Sequence, residues 1–400
     1  MFWRIFLSNS VEMLGCLNSN DTICFNGGQC IEDHCECNNI CFMGHQCRIS
    51  FNVIDLPFSS AILQDHSSTH VTYIIVITLL VLIALISNIF ALVTLARERI
   101  RTTVCGVYLL FFTTCSLILM CLFQTTAMTV ARYDTSSYRL WSCQIIPYTS
   151  LTVGFTSMWL SVGISIEKML IECLNFRVGG SRRRAVIASI GFFLLSAIAN
   201  LANIFARHYS LDPSGYPICI YDFTSNPNWG HFNKAFSYIN IIVPILFHIV
   251  CSICILTTIA RRKILIQSSK RSCQHLCAVW FKQLYAHRDF FIPPLCMILF
   301  VFPNSIYGHL LNICVTSSDV VKLRLHIAFV LMLHGPLILT FLVYIYPSEI
   351  YTREFQETHL YRALCCYFYR RRKEKELSER RRRASSAATI AHLIIEMDHL

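Results

Sequence analysis

Seven long apolar windows constrain what this chain can fold into more than any other feature of its 400 residues. Each window is close to the roughly 20 residues that a helix needs to cross the hydrocarbon core of a bilayer. The windows lie near residues 71–95, 105–130, 144–166, 185–206, 235–260, 290–312 and 325–346. The composition agrees, because 54% of the residues are hydrophobic and only 14% are charged. Since helices satisfy their backbone polar groups within one segment, we expect an all-α membrane protein with a bundle of seven transmembrane helices.

Lysine and arginine are distributed unevenly between the two sides of these windows. With the N-terminus placed outside, 26 of the 34 lie on the inner side and 8 on the outer side. Because cytoplasmic loops carry the excess of positive charge, we expect an extracellular N-terminus, a cytoplasmic C-terminus and a multi-pass location in the plasma membrane. Topology and attraction to anionic membrane lipid then explain the formal net charge of +11. No nucleic-acid partner is expected.

The windows contain no aspartate or glutamate. Proton-coupled transporters and intramembrane proteases need such groups at membrane depth, and no HExxH, GxSxG or Walker-type run occurs elsewhere. We therefore expect neither an enzyme nor a cofactor, and a carrier or channel is a weak alternative. Most neutral polar residues in the windows are predicted to join helices. The favoured ligand-binding candidates lie at the outer part of the sixth window, at Tyr307, His309 and Asn312.

Cysteines are dense in the segment before the first window, which suits an oxidising compartment. Six of them follow in the order Cys16, Cys24, Cys30, Cys35, Cys37 and Cys47. The run includes CFNGGQC, a Cys-Glu-Cys and a closing FMGHQC, and it resembles an EGF-like domain over about 16–47. The resemblance implies three disulfides, Cys16–Cys30, Cys24–Cys35 and Cys37–Cys47.

Cys41 is an extra cysteine, so the last pair could be misassigned or one thiol could be free. A zinc ribbon is the alternative, but ligand pairs of the required spacing are missing, and no metal is expected. Asn20 begins an N-glycosylation sequon. The apolar run at the N-terminus is too short for a full signal peptide, so either the first helix delivers the N-terminus or the start lies upstream. We expect an extracellular segment over 1–52 and a polar linker over 53–70.

The third window is framed by Cys143 at its start and by Glu167-Lys168-Met169 at its end. A helix advances about 36 Å over that interval, which is one tilted bilayer crossing. Here the chain resembles the rhodopsin-like G-protein-coupled receptors, in which a cysteine opens the third helix and Asp/Glu-Arg-Tyr closes it. The resemblance implies a receptor domain over 71–353 and a disulfide between Cys143 and Cys219.

Further matches to that family are partial. Asn88 follows a serine where the family has Gly-Asn, and three prolines stand at the family's places in the fifth, sixth and seventh helices, Pro244, Pro303 and Pro347. A proline inside a membrane helix releases a carbonyl and kinks the axis. The resemblance therefore implies that these residues, together with Tyr351, act as hinge or switch positions.

Several positions depart from the family pattern. Ser116 stands near the place of the second-helix aspartate, and Val301 replaces the tryptophan before the sixth-helix proline. Lys168 replaces arginine and offers a point charge without a planar fork, so coupling could be differently tuned. The simpler alternative is that Glu167 and Lys168 are an interfacial pair whose charged ends reach headgroup water.

The residues expected to contact a heterotrimeric G protein lie on the inner side, at Glu167, Lys168, Met169, Arg182, Arg183 and Arg184. A basic cytoplasmic tail over 354–400 contains Cys365 and Cys366, which are plausible palmitoylation sites. Ser385 follows an arginine run and fits a basophilic kinase site.

We therefore expect a receptor for an unidentified extracellular ligand, either a small molecule or a peptide, that signals through helix rearrangement. The alternative from a different class is an adhesion protein that uses its EGF-like module while the bundle only anchors it.

Overall fold

The computed structural model describes 29–31, 34–37, 42–43, 47, 49–50, 58–65, 67–131, 138–174, 182–205, 207–211, 217–221, 227–266, 284, 286–310 and 320–363. Eight residues singled out in the sequence lie outside these ranges, namely Cys16, Asn20, Cys24, Cys41, Asn312, Cys365, Cys366 and Ser385.

Within the described ranges the chain is predominantly helical. The helices, in chain order, are α1 (Phe58–Gln64), α2 (Ser67–Leu95), α3 (Glu98–Arg101), α4 (Val104–Ala131), α5 (Ile146–Leu174), α6 (Arg182–Ala199), α7 (Ala202–Phe205), α8 (Pro227–Ile266), α9 (Arg288–Ser305), α10 (Val320–Leu333), α11 (Gly335–Ile338) and α12 (Glu349–Gln356). Three of the described stretches have π-helical hydrogen bonding, namely Tyr138–Ile145 before α5, Ile306–Leu310 after α9 and Phe341–Ile345 after α11.

Six helical segments of the described chain are long and apolar enough to cross a bilayer. They are Ser68–Leu95, Val104–Ala131, Trp141–Leu174, Arg182–Phe205, Ala235–Arg262 and Arg288–Gly308. Each overlaps one of the first six predicted windows, so the chain is a multi-pass membrane protein. The seventh window is covered by shorter pieces, α10, α11 and Phe341–Ile345, which together we call the seventh segment. Its crossing of the membrane stays a prediction.

One face of α2 shows why the bundle suits lipid. Large apolar side chains that are more than half exposed recur at Val71, Ile75, Leu79, Leu82 and Ile86. This spacing puts them on one stripe of the helix. An apolar stripe of this length is unfavourable in water, but it is the expected surface where a helix faces acyl chains.

Small hydroxyl side chains dominate the polar part of the interior. Thr113, Thr156 and Ser157 are buried, and each donates to the carbonyl four residues earlier, at 2.8, 2.7 and 2.8 Å. Such bonds satisfy the hydroxyl inside its own helix and let neighbouring backbones approach closely. The closest helix pairs include α2 with α4, α4 with α5, and α5 with α8.

The described part of the chain also contains three antiparallel two-stranded sheets. They pair β1 (Gln29–Ile31) with β2 (His34–Glu36), β3 (Phe42–Met43) with β4 (Ile49–Ser50), and β5 (Arg207–Leu211) with β6 (Pro217–Tyr221). In the first, Cys30 lies opposite Cys35. A disulfide joins Cys37 to Cys47, one of the pairs implied by the EGF-like resemblance, and Cys35 is also disulfide-bonded.

The segment expected to be a polar linker over 53–70 has a different structure. Residues 58–64 form α1, and α2 already begins at Ser67. The side chains of Ser60, Ala61 and Ile62 are almost completely buried. Serine-rich composition predicts a loop only when nothing covers the segment, whereas here the end of the bundle covers it.

The chain divides into two compact units, with the boundary between Ser348 and Glu349. This is slightly earlier than the predicted domain end at 353. The second unit begins with α12, which contains Tyr351, one of the expected switch residues. Within this unit the rings of Phe355 and Tyr361 contact each other edge to face, 5.4 Å between centroids.

Candidate functional site

One end of the bundle is closed by a disulfide. Cys143, in the π-helical turns that precede α5, is bonded to Cys219 of β6, with 5.4 Å between their Cα atoms. Both cysteines are buried. The bond fixes the β5–β6 hairpin against the start of α5, and such a cross-link restricts the unfolded chain over the 76 residues that it spans. We call this the disulfide end of the bundle.

A cavity of about 280 Å³ lies beside the disulfide. Its walls come from α1, α4, α5, α8, α9, β5 and the seventh segment. Most of the lining is apolar, with Ile146, Leu151 and Phe155 on α5 and Met297 and Val301 on α9. A mostly apolar concavity between helices, close to the usual size range, is the common form of a small-molecule site.

A few polar groups interrupt this apolar lining. They include Ser142 next to Cys143, Ser150 on α5, Asn304 on α9, His326 on α10 and Arg207 on β5. Arg207 is 4% exposed. Among the described residues that line the cavity there is no aspartate or glutamate. The site therefore has no carboxylate of its own to pair with a cationic ligand, and its formal charge is positive.

Gly154 on α5 leaves part of the cavity open. A Cβ atom added there would meet no other atom within 4 Å. The glycine therefore enlarges the cavity without being needed for helix packing.

The seventh segment is broken beside the cavity, at His334-Gly335-Pro336. α10 ends at Leu333 and α11 begins at Gly335. Pro336 has no N–H to donate, which weakens helical continuity at this point. Gly335 is required by packing, because a Cβ atom there would overlap the ring of Phe300. This break differs from the expected seventh-segment hinge at Pro347, which lies in the turn after Phe341–Ile345.

The carbonyl of Leu337 is the meeting point of three helices. In a continuous helix it would accept from the N–H of Phe341, but that N–H donates to Ser87 Oγ at 3.0 Å. The carbonyl instead accepts from Asn88 Nδ2 at 3.0 Å, Ser116 Oγ at 2.7 Å and Thr340 Oγ1 at 2.8 Å. A carbonyl oxygen has two lone pairs, so these three donors share one crowded acceptor.

The side chains of Asn88 and Ser116 both donate to the Leu337 carbonyl of the seventh segment. Asn88 also donates to Ala84 O at 2.8 Å, within its own helix. Both side chains are completely buried. Ser116 stands near the place of the second-helix aspartate in the receptors that the sequence resembles, and its hydroxyl donates to a backbone carbonyl of the seventh segment.

The ligand-binding candidates proposed from the sequence are not found among the described residues that line the cavity. Tyr307 donates its hydroxyl to Lys322 O at 2.9 Å, and its ring contacts that of Phe329 at 5.2 Å. Tyr307 is not among the residues that line the cavity, although the neighbouring Gly308 is. For His309 only the backbone is described, and it lies in the π-helical turns after α9. The structure thus assigns Tyr307 to packing between α9 and α10.

The opposite end of the bundle carries Lys168, and we call it the Lys168 end. The ammonium group donates to the backbone carbonyl of Asp289 at 2.7 Å, and it lies 4.8 Å from the centroid of the Phe290 ring. Met169 and Phe290 pack on a cluster formed by Ile255, Ile259 and Phe291. Lys168 therefore ties α5 to the first turn of α9.

The remaining predicted coupling residues lie at helix ends. Glu167 is partly exposed next to Lys168, and Arg182, Arg183 and Arg184 are exposed in the first turn of α6. Two of the expected hinge prolines lie inside helices, Pro244 in α8 and Pro303 in α9.

Some residues of the site were missed in the sequence. Gly335-Pro336 is a dipeptide that marks a helix break, so it could have been noticed inside the seventh window. Gly154 and Arg207 carry no such signal, because only the packing of distant segments makes them part of one cavity.

Comparison of the sequence with protein-family models gives no match, and comparison with curated proteins gives none at a significant level.

Proposed function

We propose that this protein is a G-protein-coupled receptor, a divergent relative of the rhodopsin-like receptors, that passes a signal from an extracellular ligand to a heterotrimeric G protein. The observation that carries the proposal is the Cys143–Cys219 bond beside the cavity. It joins the start of one membrane helix to the hairpin before a later one. The same bond is implied by the resemblance to that family.

The proposed topology has seven crossings in the plasma membrane, with the disulfide end outside. Support comes from the cations, because Lys168 and Arg182, Arg183 and Arg184 are all at the end opposite the disulfide. A tag at the C-terminus of the full chain should react with antibody only in permeabilised cells. Reaction in intact cells would contradict this topology.

The chemistry of the cavity favours a small ligand that is neutral or acidic and largely apolar. Its lining offers hydroxyls, imidazoles and one guanidinium, but no carboxylate among its described residues. Burying an ammonium group without a counter-charge is costly. Amine ligands should therefore bind poorly to this site.

At the Lys168 end, we assign contact with the G protein to Glu167, Lys168 and Met169 and to the three arginines at the start of α6. A ligand acts by favouring one of two arrangements of the bundle. The bond from Lys168 to Asp289 O belongs to the resting arrangement, because it holds α5 and α9 together at the face that the G protein would use.

The test is a ligand screen with nucleotide exchange on purified G proteins as the readout, using matched sets of carboxylic acids, neutral analogues and amines. Lys168→Arg should retain the ligand-driven response. Lys168→Ala loses both the bond to Asp289 O and the contact assigned to the G protein, so it should raise exchange without ligand and reduce the ligand-driven increase, at equal surface amounts. Ligands that bind the wild-type chain without exchange on any G protein would refute the proposal.

A second function is favoured by the Cys37–Cys47 disulfide and the short sheets near it, which suit an EGF-like binding module. In this alternative the chain is an adhesion protein and the bundle anchors the module. Deletion of residues 1–52 separates the two functions. Loss of partner binding with no effect on signalling would favour adhesion.

A further inference from the structure

The helix before the first membrane span is buried at the disulfide end of the bundle. α1 packs against α2, α4, α10 and β6. Ser59, Ser60, Ala61, Ile62 and Leu63 are each less than 9% exposed. This burial requires a packed position, because a segment that only connected two domains would keep its backbone and side chains in water.

A buried carboxylate fastens the end of α1 to two other helices. The Asp65 side chain has no exposed surface and accepts from Arg324 Nε at 3.0 Å and Nη2 at 3.3 Å. It also accepts from the Tyr73 hydroxyl at 2.6 Å. His70 Nε2 donates to the Asp65 carbonyl at 3.1 Å. A buried carboxylate needs such partners, so this contact holds α1 to both α2 and α10.

The other end of α1 reaches the cavity. Phe58 and Ser59 line it, and the Phe58 ring lies edge to face on Phe123 of α4, 5.5 Å between centroids. Phe123 in turn contacts His334 at 4.5 Å. His334 stands at the break between α10 and α11. Aromatic contacts therefore run without a gap from α1 to the broken part of the seventh segment.

We propose that residues 58–65 are an intramolecular strap, which covers part of the cavity and holds the seventh segment in its resting arrangement. The Phe58 ring contacts Phe123, which contacts His334 at the break in the seventh segment. Asp65 fixes the first turns of α10 by its ion pair with Arg324. A ligand that enters the cavity meets Phe58 and Ser59 as part of its wall. Ligand binding and strap release are therefore coupled in this protein.

Residues 58–65 follow the N-terminal segment directly in the chain. A force on that segment would therefore act on the strap. Activation requires the strap to loosen, because its contacts are made to the resting arrangement and a two-state bundle follows whichever state has more favourable contacts. The claim that the strap restrains signalling rests on the proposed receptor function. The claim that it restrains the seventh segment is independent of that function.

The structural test is hydrogen exchange of the full chain in lipid nanodiscs. Arg324→Gln removes the cation but keeps a side-chain amide that can donate to Asp65, which also retains the Tyr73 hydroxyl as a donor, so the fold should survive. Exchange should be faster over 58–65 and over 333–340, by about tenfold or more. The control Lys322→Gln removes another cation from the same helix end but leaves the ion pair intact, so exchange over both stretches should rise less than with Arg324→Gln. Unchanged exchange in either stretch, or an equal rise in all helices, would refute the strap.

A second variant tests the aromatic route separately. Phe58→Ala keeps the ion pair but removes the ring that presses on Phe123. Exchange over 333–340 should rise while the bond between Asp65 and Arg324 persists. No change there would show that the strap does not act on the break.

The signalling test measures nucleotide exchange without ligand, at equal surface amounts. Arg324→Gln and Phe58→Ala should both raise it above the wild type and above Lys322→Gln. A fall would overturn the restraining role and make the segment an activator. If ligands of the wild-type chain drive no nucleotide exchange while the hydrogen-exchange results hold, the receptor function has failed and the strap has not.

Discussion

The ammonium group of Lys168 donates to the backbone carbonyl of Asp289, 2.7 Å away, and not to a carboxylate. The contact joins α5 to the start of α9, and the Phe290 ring covers the ammonium group from another side, 4.8 Å from its centroid. Because the acceptor belongs to the main chain, the bond depends on where α9 begins rather than on which side chain stands at residue 289.

This relationship predicts an asymmetry between two substitutions. Lys168→Met keeps most of the side-chain stem but loses the charged donor, and it should lower stability by about 1 to 3 kcal/mol. Asp289→Asn keeps the carbonyl and loses only the negative charge in the first turn of α9, so it should cost less, about 0.3 to 1 kcal/mol. The measurement is thermal unfolding of both purified variants in the same detergent. Equal losses would indicate that the carboxylate, and not the carbonyl, is the partner that matters.

The crowded carbonyl of Leu337 predicts coupling between two residues on different helices. Asn88→Ala and Ser116→Ala each leave it with two of its three donors, whereas the double variant leaves only Thr340. The double variant should therefore lose more stability than the sum of the single losses, by about 0.5 kcal/mol or more. A double-mutant cycle of thermal unfolding measures this. Strict additivity would contradict the shared acceptor.

The contact of Gly335 with Phe300 predicts a rescue. Gly335→Ala should destabilise the bundle by about 1 to 3 kcal/mol, because the new methyl group overlaps the ring. Adding Phe300→Leu should recover part of that loss, although the same substitution alone should be destabilising. The measurement is the unfolding temperature of the two single variants and the double variant. A double variant less stable than Gly335→Ala would rule out the overlap with the Phe300 ring.

Two glycines with open space around them provide a test position and a matched control for ligand binding in the cavity. Gly154 and Gly191 would both accept a Cβ atom with no neighbour within 4 Å, but only Gly154 lines the cavity. Gly191 is exposed on α6. Gly154→Val should weaken binding of a ligand found in the screen by about tenfold or more, because it fills space that the ligand needs. Gly191→Val should leave affinity unchanged, and equal affinity of both variants would place the ligand elsewhere.

The placement of α1 shows where sequence reasoning stops. Its serines and its position after the cysteine-rich segment predicted a polar linker, and composition gave no sign that Asp65 would meet Arg324 in the seventh segment. Those two residues are 259 positions apart. An ion pair between such distant positions depends on the packing of several helices. The sequence around Asp65 and the sequence around Arg324 therefore do not predict it.

The amino-acid sequence by itself determined six helices of the described chain that are long enough for a bilayer, because the apolar length needed to cross it is a property of each segment alone. It did not show that the seventh window is divided into shorter pieces. It also marked Cys143 and Cys219 as partners through a family resemblance. Only the tertiary structure decided that Lys168 donates to a main-chain carbonyl, that Leu337 O accepts from three donors, and that α1 contributes Phe58 and Ser59 to the cavity wall. These are contacts between segments far apart in the chain, and their geometry follows from packing that no single segment specifies.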